Sequence, residues 1–125
     1  MKTSDKAKMT LSELYKTVGG DIDDVLERLE DEEIVESFVL RFEDDPSYSA
    51  LLQSLNENDF KSAFRAAHTL KGISFNLGFR RLGDFASVLC DELREGILPS
   101  EISLRQLKSE YGCVISAIRS LKNNN

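Results

Sequence analysis

The chain has 125 residues, of which 41% are hydrophobic, so it is long enough to form one domain around one core. Its formal net charge of −6 argues against general binding of nucleic acids or anionic membrane surfaces, and no apolar run reaches the roughly 18 to 20 residues of a membrane span. The N-terminus lacks the apolar centre of a signal peptide, and Cys90 and Cys113 form no Cys-x-x-Cys pair, so we expect a cytoplasmic protein with reduced thiols.

Apolar residues recur at intervals of three and four along almost the whole chain, which predicts α-helices and no strand. The predicted helices cover about 10–18, 22–29, 32–43, 59–76, 80–94 and 101–121, and a further helix begins at Pro46. Asp21 is the predicted N-cap of the second helix, and Asn58 or Asp59 that of the helix over 59–76.

These helices predict an all-α protein, an antiparallel four-helix bundle with up-down-up-down topology. Its long helices are expected to begin near residues 32, 59, 80 and 101, with additional short N-terminal helices covering one end. Residues 9–121 are predicted to form a single bundle domain, and residues 1–8 and 122–125 to form flexible ends.

The predicted helix over 59–76 contains the only histidine of the chain, within the stretch AAHTLKGISFNLG at 66–78. At 100° per residue, Lys71 and Gly72 lie beside His68, one turn further along the helix. A glycine inside a helix costs about 1 kcal/mol relative to alanine. We infer that Gly72 leaves space for another molecule to approach the imidazole; close packing between helices is the alternative explanation.

The surroundings of His68 are basic although the whole chain is acidic. Residues 60–83 contain no Asp or Glu and five cations, which are Lys61, Arg65, Lys71, Arg80 and Arg81. This contrast suggests an anionic partner at the helix. A neutral imidazole is a good nucleophile, and an electrophilic phosphorus suits a cationic site better than a carbonyl carbon does.

The same stretch resembles the signature of the histidine-containing phosphotransfer (HPt) domain family, which is His-x-Leu-Lys-Gly followed by Asn-x-Gly. The matching residues are His68, Leu70, Lys71, Gly72, Asn76 and Gly78. The resemblance covers about 9–121 and is strongest over 58–94, where the following helix FRRLGDFASVLCDELREG also matches.

The resemblance implies a phosphocarrier of a two-component phosphorelay and not an enzyme in its own right. His68 would accept a phosphoryl group and exchange it with receiver-domain aspartates, Lys71 would stabilise the phosphoryl oxygens, and Gly72 would give the partner access. The implied partners are the receiver domain of a response regulator and a histidine kinase, including a hybrid kinase. The carrier would need no metal or other cofactor of its own, because Mg²⁺ is expected on the receiver, and a monomer is the simplest oligomeric state.

The resemblance also directs attention to the docking surface and to one departure from the family pattern. The residues expected to contact the partner are Leu14, Val18, Phe64, Arg65 and Phe75, although Leu14, Val18 and Phe64 fit the protein core equally well. Many family members carry Gln or another polar residue 22 positions after the histidine, where it hydrogen-bonds near the imidazole or the phosphate. This chain has Cys90 there, a weak hydrogen-bonding group, so either Ser87 or Asp91 substitutes or the contact is missing.

Four alternative functions fit the sequence less well. A phosphoacceptor domain of a hybrid or chemotaxis-type histidine kinase would use the same chemistry, but the chain begins at Met1 and has no ATP-binding lobe, so we expect a stand-alone carrier. A non-catalytic helical adaptor would share the fold without needing an acid-free surround for His68. A cysteine–histidine hydrolase lacks a recognisable nucleophile motif, and a metal- or haem-binding bundle would have too few ligands.

Overall fold

Every regular element between residues 9 and 123, which are the residues that this computed structural model describes, is helical. The helices are α1 (Leu11–Thr17), α2 (Ile22–Leu29), α3 (Glu32–Arg41), a 3₁₀ helix (Phe42–Asp44), α4 (Ser47–Asn56), α5 (Phe60–Asn76), α6 (Arg80–Arg94) and α7 (Glu101–Lys122). The all-α prediction is confirmed. Of the predicted flexible ends, residues 1–8 and 124–125 lie outside the described residues. The predicted tail 122–125 begins too early, because Lys122 is the last residue of α7 and forms an ion pair of 2.8 Å with Glu43.

Side-chain caps determine where most of these helices begin. Thr10 and Glu13 form a capping box at α1, in which each side chain accepts a hydrogen bond from the backbone N–H of the other residue, at 3.1 and 2.9 Å. Asp21 caps α2 as predicted, and Asp59, not Asn58, caps α5 by accepting a hydrogen bond from the N–H of Ser62. Each such cap stabilises its helix by about 1 kcal/mol.

The body of the molecule is formed by helices that follow one another in the chain. α5 packs most extensively against α6, α4 packs against α5, and α6 packs against α7. The helix predicted over 32–43 ends at Arg41 and is followed by the 3₁₀ helix, and Pro46 separates it from α4 as predicted. This helix was expected to be one of the four long helices of the bundle, but it is α4 that lies along α5. α3 contacts α2 and α7 instead. The up-down-up-down order of the bundle stays a prediction.

The two N-terminal helices hold the end of α5. The buried hydroxyl of Tyr15 on α1 donates a hydrogen bond of 2.6 Å to the carbonyl oxygen of Leu77, and Arg28 Nη2 on α2 donates one of 2.5 Å to the carbonyl oxygen of Asn76. Both carbonyls lie at the C-terminal end of α5, where a helix leaves its carbonyls without internal partners. Burial raises the pKa of Tyr15, and the positive charge of Arg28 lowers it by a smaller amount.

No helix within residues 9–123 combines the length and the apolar character that crossing a membrane would require.

Candidate functional site

The imidazole of His68 lies on the exposed surface of α5. Its neighbour in the structure is Phe64, one turn earlier, with the two ring centroids 6.0 Å apart and the rings tilted by 41°. Within residues 9–123 the imidazole forms no hydrogen bond or ion pair with the protein. An imidazole in this position can attack a molecule that approaches from solvent.

The space beside the imidazole is also open. Gly72 is exposed, and a Cβ atom added to it would have no atom within 4 Å beyond its chain neighbours and the backbone of its own helix. Close packing between helices therefore does not explain this glycine. Lys71 is half-buried, and its ammonium has no ion pair among the described residues. The structure thus leaves a cation and an open position one turn along the helix from His68.

The second glycine of the motif has a different role, because it belongs to the fold. Gly78 has a φ of +73°, in the left-handed region that favours glycine. A Cβ there would lie 2.5 Å from Cγ2 of Val25 and 2.7 Å from the backbone oxygen of Asp21. The backbone N–H of Asp21 also donates a hydrogen bond to the Gly78 carbonyl oxygen, so this turn joins α5 to the start of α2.

The basic segment around His68 is smaller than the sequence indicated. Arg80 lies 3.5 Å from a carboxylate oxygen of Asp21, and Arg81 forms an ion pair of 2.7 Å with Glu110, whose side chain is only 7% exposed. The hydrogen bond from Arg81 to Glu110 raises the pKa of Arg81. These two arginines therefore join helices. Three of the five cations form no ion pair among residues 9–123, and they are Lys61, Arg65 and Lys71.

The predicted docking residues divide into two groups. Leu14 and Val18 are 0% exposed, which contradicts the prediction that they contact a partner. α1 is a short helix with one apolar face, and that face is buried as the helix packs against α7. Phe64 is half-buried, Arg65 is exposed and Phe75 is 37% exposed, so these three side chains are accessible on α5.

Cys90 is fully buried on α6, and its sulfur lies 3.9 Å from Nη2 of Arg94. Neither proposed substitute is bonded to His68. Within residues 9–123 the hydroxyl of Ser87 forms no hydrogen bond, and Asp91 is paired with Arg94 at 2.7 Å.

Arg94 lies near this site although it is not among the residues predicted from the sequence. Its guanidinium carbon lies 5.7 Å from the centroid of the Phe64 ring, and Phe64 in turn neighbours His68. The available signal was its position one turn after Cys90 on the same helix face.

The described residues contain no group of three or more His, Cys, Asp or Glu side chains that could hold a metal ion. Comparisons with curated proteins and with solved structures give no significant match. A family model does match: the Hpt domain, over residues 13–121, which is nearly the whole chain. The chain therefore belongs to the Hpt domain family, whose members transfer phosphoryl groups in two-component signalling together with kinases and receiver domains.

Proposed function

We propose that this protein is a phosphocarrier that accepts a phosphoryl group on His68 and exchanges it with aspartates of receiver domains. The observation that carries the proposal is the exposed imidazole beside Gly72, where an added Cβ would meet nothing within 4 Å. An open position in mid-helix, next to the only histidine of a chain of this family, is what the close approach of a partner's active site requires.

The transfer step begins with an aspartyl phosphate of the receiver or a phosphohistidine of the kinase. The lone pair of His68 Nε2 attacks the phosphorus, the bond from phosphorus to the donor breaks, and the donor leaves with the electron pair. The other ring nitrogen loses its proton to solvent. The reverse sequence returns the group to a second receiver. Since phosphoryl transfer depends on positioning and on neutralising oxygen charges, the ammonium of Lys71 is proposed to bind the phosphoryl oxygens.

The partner completes the site. We propose that the receiver supplies Mg²⁺, and that this chain contributes no metal or other cofactor. A monomer would leave the half-buried Phe64 and the exposed Arg65 and Phe75 accessible to that partner. The net charge of −6 supports a protein partner over nucleic acid or an anionic membrane, and we place the carrier in the cytoplasm.

The test is transfer from a radiolabelled phospho-receiver to the wild type and to His68→Gln. The expected label is acid-labile and base-stable, as a phosphohistidine is, and it is absent from the variant. Circular dichroism of His68→Gln should match the wild type, because the exchanged side chain is exposed. Label that persists in His68→Gln would refute the assignment of this residue. Failure of the wild type to take label from any of several receivers would favour a non-catalytic adaptor.

A further inference from the structure

We propose that Arg94 is a second phosphoryl-binding cation of the His68 site, and that Asp91 holds its guanidinium until the phosphoryl group is present. The inference rests on the proposed function, since it concerns the phosphorylated form of His68.

Two contacts establish how α5 and α6 lie against each other. Phe75 on α5 meets Gly83 on α6: a Cβ at Gly83 would lie 2.6 to 2.8 Å from atoms of the Phe75 ring. Further along, Phe64 on α5 meets Arg94 on α6, with the guanidinium carbon 5.7 Å from the ring centroid. Residue numbers fall along α5 as they rise along α6, so the two helices are antiparallel and keep one register between these contacts.

In this register His68, four residues after Phe64, is level with Cys90, four residues before Arg94. Side chains on a helix point towards its N-terminus. Arg94 follows this rule, because its Nη2 reaches to 3.9 Å from the sulfur of Cys90. Its guanidinium is therefore directed along α6 towards the level of the imidazole.

The remaining separation has an upper limit. The guanidinium carbon of Arg94 and the ring centroid of His68 lie 5.7 and 6.0 Å from the centroid of Phe64, so they are at most about 12 Å apart. The proposal requires this separation to close through a phosphoryl group on the imidazole and a change of rotamer at Arg94. The Phe64 ring, which the guanidinium already contacts, provides a surface for that movement.

The ion pair between Arg94 and Asp91 is weak enough to break. The ion pair with Asp91 measures 2.7 Å, but the two side chains are 50% and 63% exposed, and exposed pairs of this kind are weak because water competes for both partners. A phosphoryl group carries more negative charge than one carboxylate and offers three acceptor oxygens. The planar guanidinium, with five donors, binds such a group better than it binds Asp91 alone. Phosphorylation of His68 is therefore expected to draw Arg94 away from Asp91.

The experiment loads His68 without a protein partner. In phosphoramidate the bond between phosphorus and nitrogen breaks, a new one forms to the imidazole, and ammonia leaves, so the small donor tests the site alone. The ³¹P chemical shift of the phosphohistidine is then followed against pH. A nearby cation favours the fully ionised phosphoryl group. We expect Arg94→Ala to raise the proton affinity of the phosphoryl group by about threefold or more and Asp91→Asn to lower it. Arg94→Lys should restore part of the wild-type value.

The control is Arg105→Ala, which removes an exposed arginine from a comparable pair with Glu101 on α7 and should leave the titration unchanged. If phosphoramidate labels His68 but the titrations of Arg94→Ala and Asp91→Asn coincide with that of the wild type, this inference is wrong and the phosphocarrier proposal stands. If the wild type takes no label on His68, both are wrong. If the proton affinity of the phosphoryl group shifts in opposite directions in the two variants, a structural disturbance common to both is not the cause. If Arg94→Ala does not fold, Asp91→Asn still tests the inference.

Discussion

The substitution Gly72→Ala should make the protein more stable and the phosphotransfer slower. An alanine in a helix interior is favoured over glycine by about 1 kcal/mol, and nothing in the structure opposes the added methyl group, since no atom outside its own helix lies within 4 Å. For a domain of this size, 1 kcal/mol corresponds to a rise in Tm of about 4 °C. A methyl group that must be accommodated in a packed interface costs about 1 to 3 kcal/mol. Transfer from a phospho-receiver should therefore slow by about tenfold.

Thermal unfolding followed by circular dichroism gives the first quantity, and single-turnover transfer from a radiolabelled phospho-receiver gives the second. Labelling by phosphoramidate should stay at the wild-type rate, because this donor is small. The matched control is Gly112→Ala on α7, another exposed mid-helix glycine with nothing within 4 Å of an added Cβ. It should gain the same stability and transfer normally. If Gly72→Ala transfers at the wild-type rate, the partner does not approach His68 beside Gly72. If Gly72→Ala is less stable than Gly112→Ala, the space beside Gly72 is not open.

Three further substitutions test the remaining assignments. Gly78→Ala should destabilise the fold by about 2 to 5 kcal/mol in chemical denaturation, since it forces a positive φ on alanine and places a methyl group 2.5 Å from Val25; a change below about 1 kcal/mol would contradict this account. Tyr15→Phe should cost about 1 to 2 kcal/mol by leaving the Leu77 carbonyl without its donor. Because burial raises the pKa of Tyr15, this side chain ionises in the unfolded state at a lower pH than in the folded state, so wild-type stability falls above about pH 10. This alkaline loss of stability should be smaller in Tyr15→Phe. Equal losses in both proteins would exclude Tyr15 as the cause. Lys71→Ala should slow phosphotransfer by about tenfold or more at unchanged Tm, and an unchanged transfer rate and label lifetime would show that Lys71 does not bind the phosphoryl group.

The helices were predictable because their signals are local. Asp21 caps α2 as predicted, and Asp59, one of the two candidates, caps α5, since a cap needs only a short polar side chain and the next few backbone N–H groups. Which partner covers an apolar helix face is not determined by local sequence. The pattern that places Leu14 and Val18 on one side of α1 does not say that α7, far along the chain, covers that side. For this reason the pattern left core packing and partner docking equally open.

The same distinction applies to the site. His68, Lys71 and Gly72 lie on one helix, so the 3.6-residue period alone brings them together. Arg94, the proposed second cation, lies near Phe64 only through the register between α5 and α6, in which Phe75 packs against Gly83. No spacing along the chain encodes that fit.

The capping box at Thr10 sets a practical limit on moving this domain into other proteins. The match to the family begins at residue 13, but α1 begins at Leu11, whose side chain is buried, and its first N–H groups are capped from Thr10. A chimaera joined at residue 13 would lack both the cap and a core residue, and the helix that carries Tyr15 would fray. A junction placed before Thr10 keeps both the helix cap and the buried Leu11 side chain.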